Sequence, residues 1–362
     1  MSSELGERIA ELGRSAVAAV LFPLIQVAYR ESVIWWPFLL SGLLVAVLVF
    51  SSAHGWRLAS LAEFRRRYLG KAIWAHPSAR ADYVYYLANS ALYALIVAPL
   101  VVAGASVANA VEGMLRQLCG PLTTPLLGPG TGRLAYTLLF FLAYDFGRFL
   151  AHNLLHEVPL LWQFHRLHHS AQVLTPLTTF RAHPVELFLM SSVPNLATGS
   201  LSGVAWYLSG GEIGFYTFLG LHVLMVAFNA IANLRHWQVW ISFGPVLNRW
   251  LISPAHHQIH HSLAPHHMGR NRGFELAIWD RMLGTLCVPE VEETYEFGLG
   301  DGSDGEWHSL GRMYGWPVRG AFSLLRRRLS RLEADAGPRA AGAAAQFSRM
   351  ARAKVRSTGE RR

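Results

Sequence analysis

Cysteine is nearly absent from this chain: Cys119 and Cys287 are the two in 362 residues. Two thiols cannot make a disulfide framework, a four-cysteine zinc site or a cysteine-ligated iron–sulfur centre. Charge is also scarce, at 15% of residues against 52% hydrophobic. So few charges can hardly cover the two soluble domains that length alone would allow, and one membrane-embedded unit is expected instead. The same balance excludes disorder for most of the chain. Any metal chemistry therefore falls to carboxylates and histidine, and histidine is plentiful at 17.

The net charge of +9 is local in origin. Residues 321–362 hold 11 Lys/Arg and 3 acids, leaving 21 basic and 20 acidic residues in 1–320. That stretch opens with Leu324-Leu325-Arg326-Arg327-Arg328-Leu329 and turns Gly/Ala/Arg-rich, the pattern of a short amphipathic start followed by a disordered tail. It suits attraction to anionic lipid headgroups, or simple solvation. No nucleic-acid recognition motif accompanies the charge, so no nucleic-acid partner is expected.

Long apolar runs occupy 33–51, 83–111, 134–156, 187–211 and 213–234, each long enough to cross about 30 Å of hydrocarbon. The run 16–29 is shorter and contains Pro23, which suits an interfacial or re-entrant segment. The first fifteen residues are charged and show no cleavable signal peptide. The connection 52–82 carries Arg57, Arg65, Arg66, Arg67, Lys71 and Arg80, which places it on the cytoplasmic side. Counting spans from there puts 152–183, 236–267 and the basic tail on that same side. The fold class expected is an all-α integral membrane bundle with a histidine-rich cap.

Histidine is clustered, with 14 of the 17 falling between residues 152 and 267. His152-Asn-Leu-Leu-His156 ends one apolar run; His165-Arg-Leu-His168-His169 and His257-Gln-Ile-His260-His261 follow. On a helix, positions i, i+3 and i+4 share a face, so each box aims two or three imidazoles at one point. A single box is often accidental. Three in one chain, all on one side of the membrane, point to a pair of metal ions, and imidazole suits iron and zinc among others. His236 is a candidate to complete the ligand set. Asp145, Arg148, His152 and His156 form one polar stripe on an otherwise lipid-compatible helix, and such groups usually mark function. Asp145, Arg148, His183 and Gln238 are candidates to support the ligands. Arg148, Arg166 and Arg181 are candidates to orient a headgroup or the imidazoles, or to pair with Asp145 or Glu186. His222, His256, His266 and His267 are not expected to ligate, and His54, His76 and His308 are read as bland surface or interface residues.

Beyond the histidines, Leu161-Trp162-Gln163-Phe164-His165 through Ser170, Ser253-Pro254-Ala255-His256 through Ser262, and Ile278-Trp279-Asp280-Arg281-Met282-Leu283-Gly284-Thr285 resemble segments of the fatty acid hydroxylase/sterol desaturase superfamily. The resemblance covers about residues 130–290. It departs at Gln238, where some relatives have histidine, and at His267–Gly273, where an acidic residue before Asn271 is missing. It implies a membrane-bound oxygenase that hydroxylates a lipid such as a fatty acyl chain or sterol. Two iron ions would be held by His152, His156, His165, His168, His169, His236, His257, His260 and His261. O2 would be co-substrate, and electrons would come from a separate reductase, ferredoxin or cytochrome. No catalytic residue is assigned apart from the ligands. Desaturation or ether-lipid cleavage at the same centre is the alternative within the class.

Outside the class stand a metal transporter, which wants ligands at the membrane midplane, and a zinc-dependent lipid hydrolase, which wants a general base near an open metal position. Glu157 is the sole carboxylate near the first box, and HExxH is absent. The domain division expected is 1–131 for interfacial and membrane helices, 132–290 for the catalytic domain, 291–320 for an extension and 321–362 for the tail.

Overall fold

The computed structural model describes residues 17–128, 130–293 and 295–332. Nearly all regular structure is helical, as the apolar runs require. Residues 17–25 form α1, followed by α2 (Trp36–His54), α3 (Leu58–Tyr68), α4 (Lys71–Trp74), α5 (Pro77–Leu92) and α6 (Gly104–Cys119). Next come α7 (Thr131–Glu157), α8 (Pro159–His169), α9 (Pro184–Ser209), α10 (Val223–Ala232), α11 (Gly244–Leu247), α12 (Pro254–His261) and α13 (Ile278–Leu283). Residues 310–332 are helical and complete the set as α14. The basic segment from 321 thus begins as helix through 332, and 333–362 lies outside the described residues.

Among the described residues, three segments are long and apolar enough to cross a membrane: Trp36–His54, Pro77–Cys119 and Thr131–Glu157. The middle one is not a single straight helix. Pro99 has no N–H to give and clashes with the turn before it, so α5 loosens into a π-turn at Tyr93–Val97 and a 3-10 turn at Ala98–Leu100 before α6 begins. Backbone groups freed there find side chains of α9: Asn195 donates to the Val102 carbonyl at 2.9 Å, and the Val102 N–H donates to Ser192 Oγ at 3.3 Å. Such re-satisfaction is what makes a broken helix tolerable in lipid.

Small residues let α9 sit close to both neighbours. A Cβ on Gly199 or Gly203 would come within 2.5 Å of a carbonyl of α6, and one on Gly147 within 2.6 Å of Pro194. Tyr136 and Ser202 hydroxyls meet at 2.8 Å across α7 and α9. Close backbone approach with hydroxyl pairing is the usual packing where burial of apolar surface gives no drive.

The run 213–234 departs from the expected span. Leu219 and Gly220 take positive φ, turning the chain into a two-stranded hairpin with Thr217 opposite His222. Tyr216 N–H and the His222 ring both bond Thr137 of α7. Only ten residues then remain for α10, about half the length a span needs at 1.5 Å per residue. The 3-10 turn Asn233–His236 follows directly and brings the chain back to the ends of α7 and α8.

Arg181 is fully buried at the joint between this cap and the rest. Its guanidinium donates to Asp82 Oδ1 at 2.8 Å, to the Leu167 carbonyl at 3.0 Å, to Ser170 Oγ at 2.9 Å and to the Trp307 carbonyl at 3.0 Å. One side chain therefore ties α5, the end of α8 and the segment before α14 together.

Candidate metal centre

Each histidine box sits where a helix start or end fixes its direction. Four residues apart near the end of α7, His152 and His156 share a face. Pro159 occupies the first turn of α8, a position that needs no N–H, and His165, His168 and His169 follow in its last turns. α12 starts at Pro254 behind Ser253, whose side chain and the His256 ring cap each other's backbone. Its His257, His260 and His261 are buried. The structure gathers these residues and His236 into two groups: His152, His156, His165, His169 and His260 in one, and His168, His236, His257 and His261 in the other. Within each group the nitrogens lie within 4.8 Å of one another.

The nitrogens that converge are the bare ones. His152 Nδ1 lies 2.7 Å from the Arg272 carbonyl and His260 Nδ1 lies 2.8 Å from the Arg270 carbonyl. A carbonyl only accepts, so both rings carry their proton on Nδ1 and leave Nε2 a free lone pair. His165 Nδ1 likewise donates to Glu186 Oε1 at 2.9 Å. Yet His152 Nε2 and His165 Nε2 stand 3.1 Å apart, and the His260 and His169 Nε2 atoms are buried without any partner. Lone pairs facing one another in a dry pocket repel unless a cation lies among them, so the donor set fits a metal ion. In the second group the Nε2 atoms of His236, His168 and His257 meet at 2.9–3.1 Å, with His236 Nδ1 on the Thr179 hydroxyl at 2.7 Å.

Burial holds these rings neutral, the form that ligates. It pushes His165 and His260 down to about 3. His168, His169, His236, His257 and His261 are lowered well below the ordinary value, by burial first and then by their neighbouring imidazoles.

A stapled loop supplies the carbonyls. Asp145 accepts the N–H groups of Glu275 and Leu276 and the indole of Trp279. Asp280 accepts the N–H groups of Arg272 and Gly273 and the Thr285 hydroxyl. Asp145 touches no histidine and acts through this loop. Arg148 bonds Glu275 at 3.3 Å and lies 3.8 Å above the Phe274 ring, and Arg235 bonds the other oxygen of Glu275.

Several supporting candidates lie elsewhere. His183 caps α9, accepting from Val185 N–H, and burial takes it down to about 4; it contacts none of the grouped imidazoles. Gln238 lines a separate cavity with Arg67 and Tyr295. The arginines pair with Glu275, Asp301 and Asp82 rather than with Asp145 or Glu186. His266 and His267 lie with Glu293 in a third, more exposed group. His222 and His256 serve backbone roles beside Thr137 and Ser253.

Two cavities flank the histidines. One, about 150 Å³, touches His152, His165, His168, His236 and His257. The other, about 300 Å³, touches His156, His169, His260 and His261 beside Trp162 and Arg272.

Residues 137–285, which span both groups and the loop, match the family model "Fatty acid hydroxylase". This segment is similar to the fatty acid hydroxylase family. Over 155 residues it is 32% identical to ornithine lipid hydroxylase OlsE of Rhizobium tropici, covering 43% of each chain. It is 29% identical over 168 residues to alkylglycerol monooxygenase of Xenopus tropicalis, covering 44% of this chain and 32% of that one. It is 28% identical over 166 residues to Delta(7)-sterol 5(6)-desaturase of Eremothecium gossypii, covering 45% and 41%. The chain thus spans less than half the length of these relatives. No solved structure matches it. Within this segment the sequence pattern does not single out Thr179, Glu275 or the carbonyls of Arg270 and Arg272, and it offers Glu186 only as a partner for arginine. The last had a readable signal, an acid three residues past a His-Pro helix start.

Proposed function

We propose that this protein is a membrane-bound non-haem diiron oxygenase that hydroxylates a lipid, with His152, His156, His165, His169 and His260 holding one iron and His168, His236, His257 and His261 the other. The convergence of unprotonated, buried Nε2 atoms in two adjoining groups carries the reading. Bound iron would supply O2 activation and oxidation of an unactivated C–H bond. The chain's own residues hold and orient the imidazoles, keep them neutral and keep bulk water from the reacting carbon. Electrons come from a separate reductase, ferredoxin or cytochrome. The activities for which the relatives are named support a lipid substrate, and they also support desaturation or ether-lipid cleavage as the second reading at the same centre.

The histidine cap faces the cytoplasm in this proposal, and the chain passes the membrane several times. α3, with Arg65, Arg66 and Arg67 in its last turn, packs Phe64 against Trp237 one residue past His236, so the basic connection and the site share an end of the molecule. The basic tail is proposed to meet anionic headgroups; its residues 333–362 lie outside the described ones.

Metal analysis joined to lipid turnover tests the function. Iron-loaded, reduced protein in membranes should consume O2 and return a lipid product heavier by one oxygen, or lighter by two hydrogens for the second reading. Protein that consumes no O2 with membrane lipids but hydrolyses one anaerobically would overturn it.

A further inference from the structure

The cavity against His152, His165, His168, His236 and His257 is not isolated. A second chamber of about 310 Å³ lies outside it, between the segment 22–33, α5 and α9. Val33 and Leu187 line both. Phe22, Val33, Phe180 and Leu187 give the outer chamber apolar walls, and two of its polar side chains are bonded within the protein: Gln26 Nε2 to Ser90 Oγ at 3.5 Å and Asn89 Nδ2 to the Ala182 carbonyl at 2.9 Å. Tyr29 and Glu31 stand exposed among its lining residues, and Glu31 is paired with Arg30 at 3.0 Å. Beside it α1 turns Val17, Val20, Leu21 and Leu24 outward as exposed apolar surface, as a helix lying in lipid would.

We propose that these two chambers form one path from the bilayer to the metal face, that Val33 and Leu187 are its neck, and that it admits a single unbranched alkyl chain tail first. This rests on the oxygenase reading and names its substrate class. The inner chamber decides the shape. A cavity of about 150 Å³ has room for a molecule the size of benzene, which suits a short run of methylenes and excludes four fused rings. An amphiphile entering by its tail leaves its polar end near the Arg30–Glu31 pair. The segment 22–33 and the α5 residues lie outside the matched span 137–285 while Leu187 lies within it, so the neck joins one wall from the family segment to one from outside it.

The test uses full-length protein in lipid nanodiscs and two readouts, saturable binding of the linear fluorescent fatty acid cis-parinaric acid to metal-free protein, and product formation after iron loading. Leu187→Trp should weaken the saturable binding by about 15-fold, the effect of excluding about two methylenes from apolar space. It should lower product in step, with iron content unchanged. Hexadecanol should displace the probe and cholesterol should not. Should the tryptophan variant misfold, Val33→Cys in a Cys119→Ser, Cys287→Ser background supplies the same block after folding: a benzyl thiosulfonate adduct should abolish the binding and reduction of the adduct should restore it. Binding and product insensitive to both blocks, or displacement by cholesterol alone, would overturn the path. Wild-type protein that binds the probe through this neck yet oxidises no lipid would leave the path standing and overturn the oxygenase reading instead.

Discussion

The two histidine groups differ in what holds them. In the group of five, three rings have Nδ1 fixed by an acceptor outside the group: the Arg272 carbonyl, the Arg270 carbonyl and Glu186. In the group of four, only His236 has such a partner, the Thr179 hydroxyl, while His168 and His261 bury Nδ1 with none. An outer partner fixes the tautomer and aim of a ring and raises its basicity. On the proposed reading the group of five is therefore pre-set for an ion, and the group of four would be shaped more by the ion itself. We expect two metal ions of unequal affinity, taken up in order.

The widest break in this comparison comes from removing a ligand. His260→Ala and His168→Ala should each abolish product, but the first should cost the tightly held metal and the second mainly the weaker one, read by metal analysis after dialysis against a graded chelator. Equal loss of both metals in both variants would show that the two groups act as one site. Glu186→Ala should come next, weakening the tighter site by about 10–100-fold, in the same titration. Thr179→Val should act on the weaker site alone and by less, since its other rings already lack outer partners. His308→Ala, outside both groups, should change neither metal content nor product; a loss there equal to that of His168→Ala would mean the groups are not the site.

Acid should not discriminate between the groups. Burial holds His165 and His260 near 3 and His168, His236, His257 and His261 below their ordinary value, while the unfolded chain binds those protons at about 6.5. The unfolded state then carries more protons at low pH, so stability is greatest above about 6.5 and falls as pH drops below it. Thermal unfolding of metal-free protein across that range measures the effect, and a melting temperature that rises on acidification would contradict it.

Most of the convergence of the histidines was legible in the residues because helical spacing converts directly into shared faces. HxxxH and HxxHH need only the 3.6-residue period to converge, and Pro159 and Pro254 mark where α8 and α12 begin. What supports the ligands was not legible. The acceptors on His152 and His260 are backbone carbonyls, which every residue possesses and no letter announces. The acid missing before Asn271 was accordingly no loss, since the loop offers peptide oxygens held in place by Asp145 and Asp280. The span expected at 213–234 failed for a related reason: hydropathy reports solvent preference, and it does not see that Leu219 and Gly220 reverse the chain against Thr137. Gln238, which stands where some relatives have histidine, lines another cavity, whereas Gln258 is the amide that braces the turn after His236, donating to the Trp237 and Val239 carbonyls at 2.8 Å.

The buried Arg181 also sets a schedule for synthesis. Three of its partners, Asp82, Leu167 and Ser170, have left the ribosome by the time it emerges, but the carbonyl of Trp307 follows 126 residues later. Until then a guanidinium that ends with no exposed surface lacks one of its acceptors, and leaving a buried charge incompletely paired is costly. The end of α8, which presents His168 and His169, cannot reach its final rigidity while the chain is still inserting into the membrane. On the proposed reading, metal capture is thereby a late event, after the preceding helices are already in place.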